Sequence, residues 1–236
     1  MEKDMQHIKL EKLTSLDYYS REAYKSLRTN IQFCGNDVKL ICITSCLPDE
    51  GKSSVSFNLA LSLAESDKRV ILVDADLRRS ATVGRYKPDQ AIKGLSHFLS
   101  GMCTLDDVLY QSNISNLDII FTGPVPPNPS ELLGTELFIK LIRMLRENYD
   151  YVIVDTPPLG SVIDSAIIAE YCDGAVMVIE ANAISYKLAQ KVKKQLDKSG
   201  CKVLGAVLNK VTVNDGAYRY YGKKYKKYKN KYYGVY

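Results

Sequence analysis

The chain has no tryptophan, only five phenylalanines and only two histidines among its 236 residues. The scarcity of histidine leaves little from which to build a zinc site, and the six cysteines (Cys34, Cys42, Cys46, Cys103, Cys172 and Cys201) include no Cys-x-x-Cys pair. Several of these cysteines sit in apolar runs, where the thiol behaves as a small hydrophobe. They are read as reduced thiols of a cytosolic protein rather than as a disulfide framework. No apolar run approaches the ~18 residues that cross a bilayer. The opening MEKDMQHIKLEK is too charged for a signal peptide. Work at a membrane is therefore expected to need a partner that supplies the span. One further absence is local: the last nineteen residues, YRYYGKKYKKYKNKYYGVY, contain no acid.

Those nineteen residues hold eight tyrosines and seven Lys or Arg. They lack the aliphatic side chains from which a core is built, so with the polar link TVNDGA before them they are expected to form a flexible basic tail over 212–236. The rest of the composition, 46% hydrophobic and 25% charged, is that of one globular domain. The overall charge of +5 belongs to the tail, since without its seven cations the first 217 residues stand at −2. No broad basic face is expected on that body, and no nucleic-acid partner.

Residues 1–16 read as a polar, extended N-terminal segment. A helix is expected across 17–33, where Tyr24, Leu27 and Ile31 recur at helical spacing. Val- and Ile-rich runs then follow at 38–44, 69–75, 117–123, 151–156, 174–181 and 202–209, with helical patterns between most of them. One such pattern, over 130–147, places Leu133, Leu137, Leu141 and Leu145 in an i, i+4 stripe. Continuous apolar strands alternating with helices predict a doubly wound α/β domain, with a mainly parallel sheet covered on both faces, over 17–211.

The first of these strands runs into SCLPDEGKSS (45–54), and an apolar-periodic helix follows. Gly-Lys-Ser between a strand and a helix is the heart of a P-loop. Backbone N–H groups of Asp49, Glu50, Gly51 and Ser54 cradle phosphates, Lys52 reaches their outer oxygens, and the Ser53 hydroxyl binds Mg²⁺. The bland alternative is a Gly-Lys-Ser turn that only caps a helix. Cys46 stands where the usual pattern begins with glycine, and Asp49, of a type that tolerates left-handed backbone better than most, is able to hold a turn position often given to glycine. Two later segments favour the nucleotide reading. ILVDADLRR (71–79) and YVIVDTPP (151–158) set Asp74, Asp76 and Asp155 just past buried strands, facing the crevice where open α/β sheets bind ligands. One or two carboxylates with phosphate and water are a common Mg²⁺ arrangement.

The ordered set of these three motifs resembles Walker A, a second Walker A and Walker B of the bacterial tyrosine kinases of capsule and exopolysaccharide synthesis. GPVPPNPSELL (123–133), DSA (164–166), GAVLNK (205–210), REAYKSLRTNI (21–31) and the tyrosine-rich end extend the likeness over nearly the whole chain. The resemblance implies a P-loop NTPase fold, ATP and Mg²⁺ as cofactors, and autophosphorylation of the tail tyrosines. Lys52 would hold the phosphates, and Ser53, Asp74 and Asp155 would organise the metal. Asp76 would accept the proton of the incoming tyrosine, Arg78 would add a cation, and Asn209 would lie near the adenine. Tyr218, Tyr220, Tyr221, Tyr225, Tyr228, Tyr232, Tyr233 and Tyr236 would be the acceptors. Glu22, Lys25 and Arg28 match a Glu-x-x-Arg-x-x-Arg assembly motif, with Lys25 replacing the middle Arg, so a homo-oligomeric ring is implied. A transmembrane adaptor (a polysaccharide co-polymerase) would recruit this cytoplasmic chain to the inner face of the membrane, and a tyrosine phosphatase would reverse its modification.

Two other classes share some of these features. A partition- or positioning-type ATPase switch has the same P-loop and sheet, but many carry a lysine where this chain has Leu47. A nucleic-acid- or anionic-lipid-binding module would rely on the basic aromatic tail alone.

Overall fold

The computed structural model describes residues 6–13, 15–80 and 82–211. An eight-stranded sheet runs through it in the order β1-β4-β5-β3-β6-β2-β7-β8. The six strands expected from the apolar runs are all present. They are β2 (Leu40–Ser45), β3 (Val70–Asp74), β5 (Leu117–Ile120), β6 (Tyr151–Asp155), β7 (Gly174–Glu180) and β8 (Val203–Asn209). All pair in parallel with one another. Side chains alternate across a strand, and here both faces of the central strands are apolar. Ile41, Ile43, Val70, Leu72 and Ile153 enter one core layer, while Leu40, Ile71, Val73, Val152 and Val154 enter the layer on the other face. Each fully buried side chain of this size contributes roughly 1.5–3 kcal/mol.

The first layer is closed by α1 (Tyr18–Phe33) and α2 (Lys52–Ala64). The second is closed by α4 (Leu95–Leu99), which follows the short α3 (Thr82–Tyr86), and by α5 (Pro129–Leu133) and α6 (Glu136–Asn148). A third apolar cluster lies beneath α7 (Asp164–Ala169) and α8 (Tyr186–Lys198). Local sequence sets the helix starts. Asp17, Thr135 and Ser185 accept hydrogen bonds from the backbone N–H groups of Ser20, Phe138 and Leu188, so α1, α6 and α8 each begin on a side-chain cap. All six cysteines are free thiols.

The structure departs from the sequence reading at two places. The sheet starts inside the N-terminal segment read as polar. There β1 (Gln6–Ile8) pairs with β4 (Tyr110–Ser112), and Ile8 and Leu10 are buried in the core. Three-residue strands are too short to show a period, and β4 runs antiparallel to β5. The leucine stripe over 130–147 is not one helix, because the chain breaks at Gly134 between α5 and α6. In α6 the buried face is Phe138, Ile139, Leu141, Ile142 and Leu145, and Leu137 points outward.

β3, β6 and β2 are neighbours at the centre of the sheet. Asp74 pairs in register with Asp155, which pairs in turn with Ile43, two residues before the strand ends. The loop into α2 and both carboxylates therefore meet at one edge of the sheet.

Candidate active site

The loop from β2 into α2 is held by contacts that the short motif does not reveal. Asp49 has φ 65° and Gly51 φ 90°, so the two left-handed positions of the turn fall on a residue that tolerates them and on a glycine. A side chain at Gly51 would collide with the Asn209 amide. Cys46 is fully buried, and its carbonyl is approached so closely by Gly160 that a Cβ there would overlap the carbonyl oxygen. Burial, with the nearby Glu50 charge, pushes the Cys46 thiol up to about 11, so it stays protonated and inert.

The two acids of the loop have separate surroundings. Asp49 is exposed, and its carbonyl accepts a hydrogen bond from Lys210 at 2.7 Å. The buried Glu50 carboxylate accepts the backbone N–H groups of Leu47 at 2.6 Å and Glu180 at 3.2 Å, tying the loop to β7. Asn209 donates to the Glu50 carbonyl at 2.9 Å. Its visible contact is thus with the loop backbone, and Gly51 packs against the same amide.

Lys52 opens α2 and points back under the loop. Its ammonium donates to Asp76 at 2.8 Å and to Ser53 Oγ at 3.3 Å, and lies 3.9 Å from Asp155. The Lys52 and Asp76 side chains are only 10% and 5% exposed. Burial works against the ammonium, but Asp155 and Asp76 outweigh it and raise the Lys52 pKa above its ordinary value. The other oxygen of Asp76 accepts the N–H groups of Arg78 and Arg79 at 3.3 and 3.0 Å, which fixes the carboxylate's orientation.

Asp74 and Asp155 are buried side by side. Burial, then the Asp155 charge, pushes Asp74 up to about 7. Burial also raises Asp155, against Lys52, Ser53 and Ser56. Two adjacent buried carboxylates with the Ser53 hydroxyl beside them form a hard, oxygen-only donor set suited to Mg²⁺. Among the described residues no group of three or more His, Cys, Asp or Glu side chains is arranged to hold a metal alone. A cation here would need phosphate or water to complete its shell.

Several site-building residues were not foreseen. Ser56, one turn beyond Ser53, donates to Asp155 at 3.1 Å. Ser80 hydrogen-bonds Asp74, and Arg85 hydrogen-bonds Ser54. Only Ser56 carried a sequence signal, through its helical spacing from Ser53. Arg78 is engaged away from the loop. Its guanidinium grips Asp164 through Nε at 2.7 Å and a terminal nitrogen at 3.0 Å, and that nitrogen also reaches Ser130 at 2.9 Å. Beside Asp76 a groove of about 470 Å³ opens between Arg79, Ser80 and Ile92 on one side and Thr122 and Val125 on the other.

On α1, Glu22 and Lys25 pair with each other at 2.8 Å, and Arg28 donates to the Ser62 carbonyl at 2.6 Å. The three are thus engaged within the chain, with the Glu22–Lys25 pair on the surface. The eight tail tyrosines lie outside the described residues. Among those described, no helix is long and apolar enough to cross a membrane.

Residues 38–203 match the AAA domain family. The chain is 44% identical to tyrosine-protein kinase CpsD of Streptococcus agalactiae over 203 residues, covering 86% of this chain and 89% of the relative. Its fold is similar to that of the chimerical protein CapA2B2, with TM-score 0.77 and 32% identity over 86% of this chain and 95% of the other. It is likewise similar to the kinase domain of the Escherichia coli tyrosine kinase ETK, with TM-score 0.76 and 33% identity over 81% and 77% of the two chains.

Proposed function

Because the chain belongs to the bacterial tyrosine-protein kinases of P-loop fold, we propose that it transfers the γ-phosphate of ATP to the tyrosines of its own tail, between subunits of a homo-oligomer. The observation that carries this reading is the contact of Lys52 with Asp76, a carboxylate that lines an open groove. ATP phosphates are cradled by the loop N–H groups and the start of α2. Their charge competes for the Lys52 ammonium, which releases Asp76 toward the groove. A tyrosine entering there gives its phenolic proton to Asp76 as its oxygen bonds to the γ-phosphorus. The bond from that phosphorus to the bridging oxygen breaks, and its electron pair leaves with ADP. Free tyrosine titrates near ~10, so an oriented carboxylate is a suitable acceptor. Ser53, Asp74 and Asp155 would hold Mg²⁺, which neutralises phosphate charge when bound. Positioning and charge neutralisation supply most of the acceleration.

Asn209 serves this reading by fixing the loop beside the nucleotide. Arg78 serves it by bracing the segment that follows Asp76. The exposed Glu22–Lys25 pair supports the assembly role of α1, with Arg28 anchoring the helix to α2. A lysine at position 25 cannot copy an arginine fork, which makes a weaker ring. The setting is capsule or exopolysaccharide synthesis, on the cytoplasmic face of the membrane. There a transmembrane adaptor activates the kinase and a phosphatase resets the tail.

Incubation of the purified chain with labelled ATP and Mg²⁺, followed by phosphosite mapping, tests the reading. Label is expected on tail tyrosines and is expected to vanish in Lys52→Met. ATP hydrolysis without phosphotyrosine would instead identify a positioning-type switch. Undiminished phosphotyrosine after deletion of 218–236 would remove the tail as substrate.

A further inference from the structure

The solvent face of α8 is divided into two unlike stripes. Val192 and Leu196 are buried on the inner side, with Leu188 and Ala189 packed against the same cluster. At ~3.6 residues per turn, Lys187, Lys191, Lys194 and Lys198 fall within an arc of about 60° and extend about 16 Å along the axis. All four are exposed, and among the described residues none has an acidic partner. The adjoining stripe is satisfied within itself. Gln190 donates to the Tyr186 hydroxyl at 2.9 Å, and Lys193 pairs with Asp197 at 2.8 Å. Like charges at i, i+3 and i, i+4 repel, so the four lysines are a segregated cationic line on a body whose first 217 residues carry −2 overall.

The described chain ends near the start of this line. Asn209 at the end of β8 pairs with Glu180 at the end of β7, and Ala181 N–H donates to the Asn209 carbonyl at 2.9 Å. α8 begins at Tyr186, shortly after that strand end. The last described residue, Val211, therefore follows β8 at the end of the sheet from which α8 starts. In an extended chain of ~3.3 Å per residue, the steps from Tyr221 to Tyr225, Tyr228 and Tyr232 are about 10–13 Å each. Two successive tyrosines span most of the lysine line.

We propose that Lys187, Lys191, Lys194 and Lys198 form a docking surface for residues 218–236 in their tyrosine-phosphorylated form, an inference that rests on the tail being the kinase's acceptor. Unmodified, that segment carries seven cations and no acid, and the line repels it. Each phosphate brings about −1.5 to −2 charges, so four cancel the cations of the segment to within about one charge and five or more reverse its sign. Lysine ammonium groups then bind the phosphates as point charges. The spent acceptor is held on α8, away from the groove beside Asp76, which leaves the groove free for an unmodified tail.

The test uses the full chain, purified in the unphosphorylated state, without ATP. A fluorescent synthetic peptide of residues 218–236 bearing phosphate on Tyr221, Tyr225, Tyr228 and Tyr232 is titrated by anisotropy, beside its unmodified twin. Saturable, salt-sensitive binding of the phosphopeptide alone is expected. It should weaken at least tenfold in the quadruple variant Lys187→Glu, Lys191→Glu, Lys194→Glu, Lys198→Glu. The matching quadruple Gln variant should show a smaller loss, and it serves if the Glu variant does not fold. Equal binding by wild type and both variants overturns the proposal, as does equal binding of the two peptides. Sedimentation with phosphatidylglycerol vesicles that is lost in the variants, with no phosphopeptide binding, would assign the line to a lipid surface and overturn it equally. Because the phosphate is installed synthetically, failure of tail labelling in the ATP assay refutes the acceptor reading separately.

Discussion

Replacing Arg78 by Met isolates one buried charge and gives a sharp expectation. The Asp164 side chain is 0% exposed and is held by the Arg78 fork and by the Ser130 hydroxyl at 2.7 Å. Removing one member of a buried ion pair costs about 3–5 kcal/mol, because the other charge is left without its partner. The Arg78 side chain is 39% exposed, so solvent already screens part of the interaction and the lower end, about 3 kcal/mol, applies. For a domain of this size that is a fall of about 6–12 °C in Tm. The loss should depend on pH. Burial opposes ionisation of Asp164, but Arg78 and Ser130 outweigh it and hold its carboxyl below the usual range. In the parent chain the pair's contribution is therefore complete above the unfolded value of ~3.9 and is lost as pH falls through the lower folded value. In the variant burial wins, the folded value rises above ~3.9, and stability is lost as pH rises through it. The gap between the two proteins is then widest near neutrality and closes toward about pH 3. Urea unfolding at several pH values measures it. Arg78→Met with Asp164→Leu should be at least as stable as Arg78→Met alone, since no buried charge is left unpaired. A gap under about 1 kcal/mol at neutral pH, or one that does not change with pH, would refute the reasoning.

Two further substitutions address the loop and the sheet edge. Gly160→Ala drives a methyl into the Cys46 carbonyl. Overpacking of about 1–3 kcal/mol transmitted to the loop should weaken ATP binding about tenfold or more in a calorimetric titration, while circular dichroism remains native. Leu10→Ala, in the segment read from sequence as polar, should cost about 2–5 kcal/mol in urea unfolding, because Leu10 is 2% exposed. A cost near zero would mean that the N-terminal segment does not contribute to the core.

The central strands and the loop were legible because their signals are local. Runs of Val and Ile at 70–73 and 152–154 can be buried only on both faces, and Gly-Lys-Ser between a strand and a helix leaves few other arrangements. Asp49 was read as a left-handed turn residue, and its φ of 65° agrees. The missed features depend on groups far apart in the chain. Glu50 entered the sequence reading only through its backbone N–H, and the role of its carboxylate depends on Glu180, 130 residues away, whose N–H it accepts. Arg78 looked available to a nucleotide until Asp164, 86 residues on, took its guanidinium. β1 escaped because Ile8 and Leu10 are isolated apolar positions among charged ones, and their burial depends on β4 and Pro88.

The lysines of α8 show why net charge misled in the same way. Summed over the body, Lys187, Lys191, Lys194 and Lys198 cancel against acids elsewhere, which suggested that no basic face existed. Cancellation in a sum says nothing about distance, and exposed charges further apart than about 8–10 Å are largely screened from one another at physiological salt. An anionic ligand close to α8 would therefore meet the local line of ammonium groups, not the sum over the body. The helical period that sorts residues by face converts the same sequence into that line, once the buried side of α8 is fixed by Val192 and Leu196.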